Sequence, residues 1–431
     1  MPTRALVRTA LAVCFLSTLA GPRAEAVGFG VFQHGGRATG QVGAFTARAS
    51  DPSALTYNPA AITQLDGFQL QAGLDFSNTT DTFRGEAGTF EANHVIQFPP
   101  FAYATWKPAA DARWAAGVGI DTPVWTTLDW LPALFPGRFR QKKFELEVFE
   151  LHPVLAVKLT DRLSFGAGAR YVKGSLEQDD SRLFAVSPFG SALTRTVEEE
   201  RRAKADVDGL GWDVALHYAA EAWGWGAVAR SQVDLDGSGD SRFRIRGDLP
   251  AADQARFVPS GSGKQDFELP AELRGGFWLA PYPELRIELD ASYQKWSGVS
   301  DSSVRFGPGG LAAEASTTSR FGDWDDTLSL RLGVEGDVTD ALTVYGGIAR
   351  EPSPVSGRAV TPGFPHGDAT VYALGASYNF PRLSFDVGYS WHQHERQGAI
   401  GQELGDEIAR SSYSARAAVW SAAARWRFGT P

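Results

Sequence analysis

Arg382-Leu-Ser-Phe-Asp-Val-Gly-Tyr-Ser-Trp391 decides how this chain is read. Successive side chains of a strand point to opposite faces. Leu383, Phe385, Val387, Tyr389 and Trp391 therefore share one face, and Arg382, Ser384, Asp386, Gly388 and Ser390 share the other. An apolar and aromatic face backed by one that carries charge suits a wall between lipid and water. The pattern recurs. Leu285, Ile287, Leu289, Ala291 and Tyr293 oppose Arg286, Glu288, Asp290, Ser292 and Gln294; Leu328, Leu330, Leu332 and Val334 oppose Ser329, Arg331 and Glu335; Trp420, Ala422, Ala424, Trp426 and Phe428 oppose Ser421, Arg425 and Arg427. A charge on the lipid face costs about 2–4 kcal/mol at the bilayer midplane, so the charged sets are expected to face the lumen.

Working outward, 14 strand candidates run from 68–76 to 414–428. Short turns such as Thr160-Asp161 and Val338-Thr339-Asp340 alternate with long connections near 77–96, 122–145, 174–208, 235–266, 298–325, 351–369 and 393–413. Short periplasmic turns and long extracellular loops are the rhythm of outer-membrane barrels. The expected fold is all-β: a 14-stranded antiparallel transmembrane β-barrel. A soluble β-sandwich or propeller also alternates, but gives no reason for the loop rhythm. Trp106, Trp114, Tyr293, Trp296, Tyr389, Trp391, Trp426 and Phe428 fall near strand ends, where amphipathic rings form girdles at the headgroup level.

Composition agrees. The chain holds 47 glycines and 12% aromatic residues, as curved, girdled strands require. Residues 1–26 read as a cleaved signal peptide: Arg4 and Arg8 precede an apolar core at 10–20 and the small-residue site Ala24-Glu25-Ala26. The only cysteine, Cys14, lies in that segment, so disulfides and thiol catalysis are excluded from the mature chain. The formal charge of −9 argues against nucleic-acid binding. After residue 26 no apolar run is long enough for a membrane helix. His392 and His394, with Glu395, are too few for a metal site, so no metal, cofactor or catalytic residue is expected and the protein is read as no enzyme.

Residues 27–67 are rich in Gly and Ala, and 44–65 reads as short helices. They are taken as a mostly helical N-terminal plug inside the lumen, with the barrel occupying 68–431. This plug contains Ser50-Asp-Pro-Ser-Ala-Leu-Thr-Tyr-Asn-Pro-Ala-Ala61. With the Gly/Ala-rich stretch before it, the segment resembles the hatch of FadL-type outer-membrane transporters of long-chain fatty acids and other hydrophobic compounds. Three more segments agree in order: 151–168, 269–276 continuing to Trp296-Ser297, and 324–327 through Ser353-Pro-Val355 to Thr361-Pro362. The chain departs from the family pattern at Pro365-His-Gly-Asp368 and in the three residues that follow Phe428.

The resemblance implies passive uptake of hydrophobic compounds, long-chain fatty acids foremost, by a monomer in the bacterial outer membrane among lipid and lipopolysaccharide. Aromatic or alkane hydrocarbons, or a general porin or structural barrel, are the alternatives. It implies a gating hatch centred on Asn58, Pro59 and Ala60, and a kink in the third strand that opens the wall sideways. Gly117, Gly119 and Pro123 occupy that strand. Glycine permits a bulge and proline cannot donate to the ladder; mere relief of curvature is the plain alternative. Candidate ligand-path residues are Phe29, Phe32 and Phe45 in the plug and Trp125, Trp130, Leu131 and Phe135 in the apolar loop 122–145, read as an exposed capture patch or as loop packing. Arg286, Arg331 and Arg425 are lumen cations that a ligand carboxylate could meet.

Overall fold

The structure, a computed structural model, describes residues 33–130, 135–187, 194–246, 260–306, 317–320, 322–357, 359–397 and 411–428. The signal segment, Phe29, Phe32 and Leu131 lie outside these residues.

Fourteen antiparallel strands close into a barrel. They are β1 (Gly67–Gly85), β2 (Pro100–Lys107, preceded by the short piece Val95–Gln97), β3 (Trp114–Asp129), β4 (Lys143–Lys158), β5 (Leu163–Val186), β6 (Arg195–Ala219) and β7 (Trp223–Arg230 and Val233–Arg246). The second half comprises β8 (Ser260–Leu269 and Ala271–Tyr282), β9 (Leu285–Lys295 and Ser303–Phe306), β10 (Thr317–Arg320 and Thr327–Asp337), β11 (Leu342–Glu351), β12 (Ala369–Asn379), β13 (Leu383–Gln397) and β14 (Ser412–Phe428). The last strand pairs with the first from Phe68↔Phe428 to Arg84↔Ser412, so no edge is left.

The alternation falls as the sequence predicts. Leu289, Leu328, Leu330, Leu332, Phe385, Val387 and Trp420 are exposed on the outer face, whereas Glu288, Asp290, Ser292, Glu335, Ser384 and Asp386 are buried on the inner one. Trp106, Trp114, Tyr293, Trp391, Trp426 and Phe428 are exposed in the outer rings, and the Trp106 and Trp114 rings meet edge to face at 5.3 Å. Trp296 departs from the girdle: it is buried beside Trp324.

Several expected loops are strand. β5 has 24 residues and β6 has 25, far more than the 9–11 or so that a bilayer requires. Loop 122–145 is corrected in the same way. β3 runs on to Asp129. Val124, Leu128, Trp130 and Phe135 are buried, not an exposed patch. Trp130 stacks on Phe135 at 4.5 Å, and its indole N–H donates to the Pro362 carbonyl at 2.8 Å. Burying an aromatic surface of this size outweighs the cost of ordering the loop, and the one polar atom of the indole is satisfied.

Residues 33–66 are encircled by the strands. Their regular parts are α1 (Gly36–Thr39), α2 (Ala54–Tyr57) and a 3-10 helix over Pro59–Gln64. The stretch 44–49, expected to be helical, forms turns instead.

Candidate functional site

Asn58 shows how the N-terminal segment is fixed. Its extended backbone precedes Pro59, as a residue before proline prefers, and its side-chain oxygen caps the 3-10 helix by accepting from the Ala60 N–H at 3.1 Å. Its amide nitrogen donates to the Thr46 carbonyl at 2.9 Å and the Leu216 carbonyl of β6 at 3.1 Å. The side chain thus ties together two turns and the wall. Gly226 of β7 permits this closeness: a Cβ there would stand 2.3 Å from the Thr46 oxygen and 2.6 Å from the Asn58 amide.

Inward carboxylates do the same around the ring. Asp290 accepts from the Phe45 and Thr46 N–H groups at 3.0 and 2.9 Å, and Glu288 accepts from Ala47 N–H at 2.6 Å. Glu335 receives Arg37 and Arg48, each at 2.7 Å, and Arg286 at 2.8 Å. Hydrogen bonds to charged groups contribute about 1.5–3 kcal/mol each, so this set fixes the segment in place. The alternating pattern put Glu288, Asp290 and Glu335 inside. That Arg37 and Arg48 in the segment need anionic partners was the further signal in the sequence.

A cavity open to solvent lies between this segment and the extracellular end. Gln33, His34, Thr56 and Tyr57 form part of its floor. Arg170, Arg230, Arg274 and Arg331 reach its sides, and Leu269, Trp296, Pro352 and Pro354 also line it. Each arginine has an anion: Glu150 at 2.7 Å from Arg170, Asp213 at 3.6 Å from Arg230, Glu272 at 2.9 Å from Arg274, and Glu351 at 3.0 Å from Arg331. Arg331 is the one lumen cation of the three expected that lines the cavity. Arg286 is engaged with Glu335 and Asp337, and Arg425 donates to Asn379. Arg170, Arg230 and Arg274 were not singled out in the sequence, because each lies on an inner strand face whose place over the cavity depends on distant strands.

One side of the cavity is the third strand. Gly117 and Gly119 do not form the bulge. They pair regularly with both neighbours, and they make room inside the barrel: a Cβ on Gly117 would stand 2.7 Å from Leu55, and one on Gly119 would stand 2.9 Å from the Tyr103 ring. The register shift lies between Asp121 and Val124, so it contains Thr122 and Pro123. The β2–β3 ladder runs from Trp106↔Ala116 only as far as Ala102↔Ile120. Beyond it, Val95–Gln97 pairs with β1 instead. In the continued register Thr122 stands opposite Pro100, which has no N–H to give. The chains rejoin higher up, where Asn93 N–H donates to the Asp129 carbonyl at 2.6 Å. The wall thus carries a window beside Asp121, Pro123 and Val124, which also line the cavity.

The remaining candidates fall elsewhere. Phe45 is buried against Tyr57, edge to face at 5.5 Å, and belongs to the packing of the segment. Trp125 is half-buried on β3 and is not part of the cavity lining. His392 is buried, with its ring nitrogen 3.0 Å from the Ser390 hydroxyl. Among the described residues no group of three or more His, Cys, Asp or Glu is placed to hold a metal.

The family model for outer membrane protein transport proteins (OMPP1/FadL/TodX) matches residues 17–428. A 47 kDa outer membrane protein of Pasteurella multocida is 28% identical over 199 residues, spanning 44% of this chain and 44% of that protein. The crystal structure of a Pseudomonas aeruginosa FadL homologue superposes with a TM-score of 0.80 at 18% identity, covering 94% of this chain and all of that one. The toluene transporters TodX of P. putida and TbuX of Ralstonia pickettii give TM-scores of 0.73 and 0.70 at 15% and 19% identity, each over 93% of this chain and 100% and 99% of theirs.

Proposed function

Because this chain belongs to the OMPP1/FadL/TodX family of outer-membrane transport proteins, we propose that it is a passive channel for hydrophobic compounds, long-chain fatty acids foremost. In this reading residues 27–67 are the hatch, 68–431 the barrel, and residues 1–26 a signal peptide removed on export of a protein that works as a monomer. A ligand enters the cavity from outside, the hatch blocks its descent, and it leaves through the window between β2 and β3 into the bilayer. The observation that carries this is a cavity bounded below by a hydrogen-bonded segment and flanked by a break in the ladder.

Sideways release follows from the energetics. Each buried CH₂ is worth about 0.8 kcal/mol, so a chain of roughly 15 methylenes would lose on the order of 12 kcal/mol in periplasmic water. The paired arginines add a polar end to the cavity, which suits an amphiphile such as a fatty acid. The likeness to toluene transporters supports a second reading, uptake of aromatic hydrocarbons. A deletion strain complemented with the full chain tests the two: restored growth on oleate supports the first, restored toluene uptake without oleate uptake supports the second, and neither result leaves the channel reading without support.

A further inference from the structure

The segment that floors the cavity also holds the edge of the window, through His34. This side chain is buried. Its Nδ1 lies 2.6 Å from the Asp75 carboxylate on β1, and its Nε2 lies 3.0 Å from the Thr122 carbonyl in the β3 bulge. A carboxylate and a carbonyl both accept, so the ring that satisfies both carries a proton on each nitrogen. The Thr122 carbonyl is the one that Pro100 leaves without a donor. β1 and β3 flank β2, so the imidazole spans the wall on both sides of the interrupted strand. The ring also stacks at a tilt on Phe101, 5.4 Å away.

The same short stretch reads the cavity. The Tyr57 hydroxyl donates to the His34 carbonyl at 3.3 Å, and the Thr56 hydroxyl donates to the Asp121 carboxylate of the bulge at 2.6 Å. His34, Thr56, Tyr57 and Asp121 all line the cavity. A ligand that displaces α2 therefore pulls on both contacts to the bulge.

We propose that His34 is a positioning residue, a latch that staples β1 to the β3 bulge and keeps the window narrow until a ligand shifts the hatch. The proposal rests on the sideways-exit reading above. Loss of the imidazolium proton removes one of the two donors, so the latch weakens as pH rises. The titratable groups around the ring are Asp75 on β1, Asp121 on β3 and the Tyr57 hydroxyl of its own segment, with Tyr103 of β2 bound to Asp121. Burial pushes the imidazole down, but the charge and hydrogen bond of Asp75, with Asp121 beyond, hold it above its ordinary value.

Initial uptake of oleate and of toluene is measured between about pH 5.5 and 8.5 in cells expressing the full chain, with each variant taken as a ratio to wild type to cancel titration of the probe. For His34→Phe the ratio is expected to be threefold or more at acid pH and to fall toward one at alkaline pH. His34→Gln returns one donor nitrogen, able to reach the Thr122 carbonyl, and is expected to stay nearer one throughout. A ratio of one at every pH, or a fall in uptake by a variant that keeps heat-modifiable mobility and trypsin resistance, overturns the latch. The doubly substituted chain Pro100→Cys/Thr122→Cys, oxidised, separates the two levels. Blocked uptake in the oxidised chain, together with a His34→Phe ratio of one in the uncrosslinked chain, removes the latch alone; unblocked uptake removes the sideways exit and the latch with it.

Discussion

At the scale of single residues, the structure turns on a few buried polar side chains that the wall presents to the N-terminal segment. Asn58 donates twice and accepts once, and its side chain is fully buried. Asn58→Ala leaves the Thr46 and Leu216 carbonyls without that donor, at about 1–3 kcal/mol each at most. The expected outcome is faster proteolysis within 33–66 at an unchanged barrel melting temperature. His34 gives the pH dependence. Its folded value is raised, so its stabilisation is complete below the unfolded value of about 6.5 and is lost as pH climbs through the folded one. Amide protection in 33–57, corrected for the intrinsic base-catalysed exchange rate, should fall on the alkaline side, and should not do so in His34→Phe.

At the scale of elements, β3 combines three environments along one strand. Val118 and Ile120 face lipid, Gly117 and Gly119 make room for Leu55 and Tyr103, and Thr122-Pro123 leave the ladder. Pro100 on the neighbouring strand is the reason the ladder cannot resume at once. Pro100→Val restores an N–H opposite Thr122. It should lengthen the β2–β3 ladder and lower uptake several-fold without loss of folded barrel, as measured by initial uptake per folded channel. Gly117→Leu acts from the other side. Its side chain meets Leu55 and is expected to displace α2, raising uptake while the β2–β3 pairs persist.

At the scale of the whole molecule, the barrel and the segment within it have different sources of stability. The barrel is stabilised by a closed ladder, since unpaired backbone groups are costly in lipid. Its outer face tolerates no charge: Leu332→Arg should cost about 2–4 kcal/mol and reduce assembly, read as loss of heat-modifiable protein. The segment is held by side-chain bonds to Asp75, Glu288, Asp290 and Glu335. Deletion of residues 27–66 should leave a folded barrel with steady conductance in planar bilayers, where the full chain shows little.

The sequence by itself determined the closed barrel, its strand number and which side chains face lipid. Those follow from a period of two read over some ten residues, and from the cost of charge in a bilayer. Its resemblance to the family marked Asn58-Pro59 and the third strand, and the prolines there agree with a turn and a break in the ladder. Only the tertiary structure decided that Trp130 and Phe135 are buried, that the bulge sits at Thr122-Pro123 and not at Gly117 or Gly119, and that His34 joins Asp75 to Thr122. These depend on contacts between residues 41, 88 and 232 positions apart, and no local period carries such contacts.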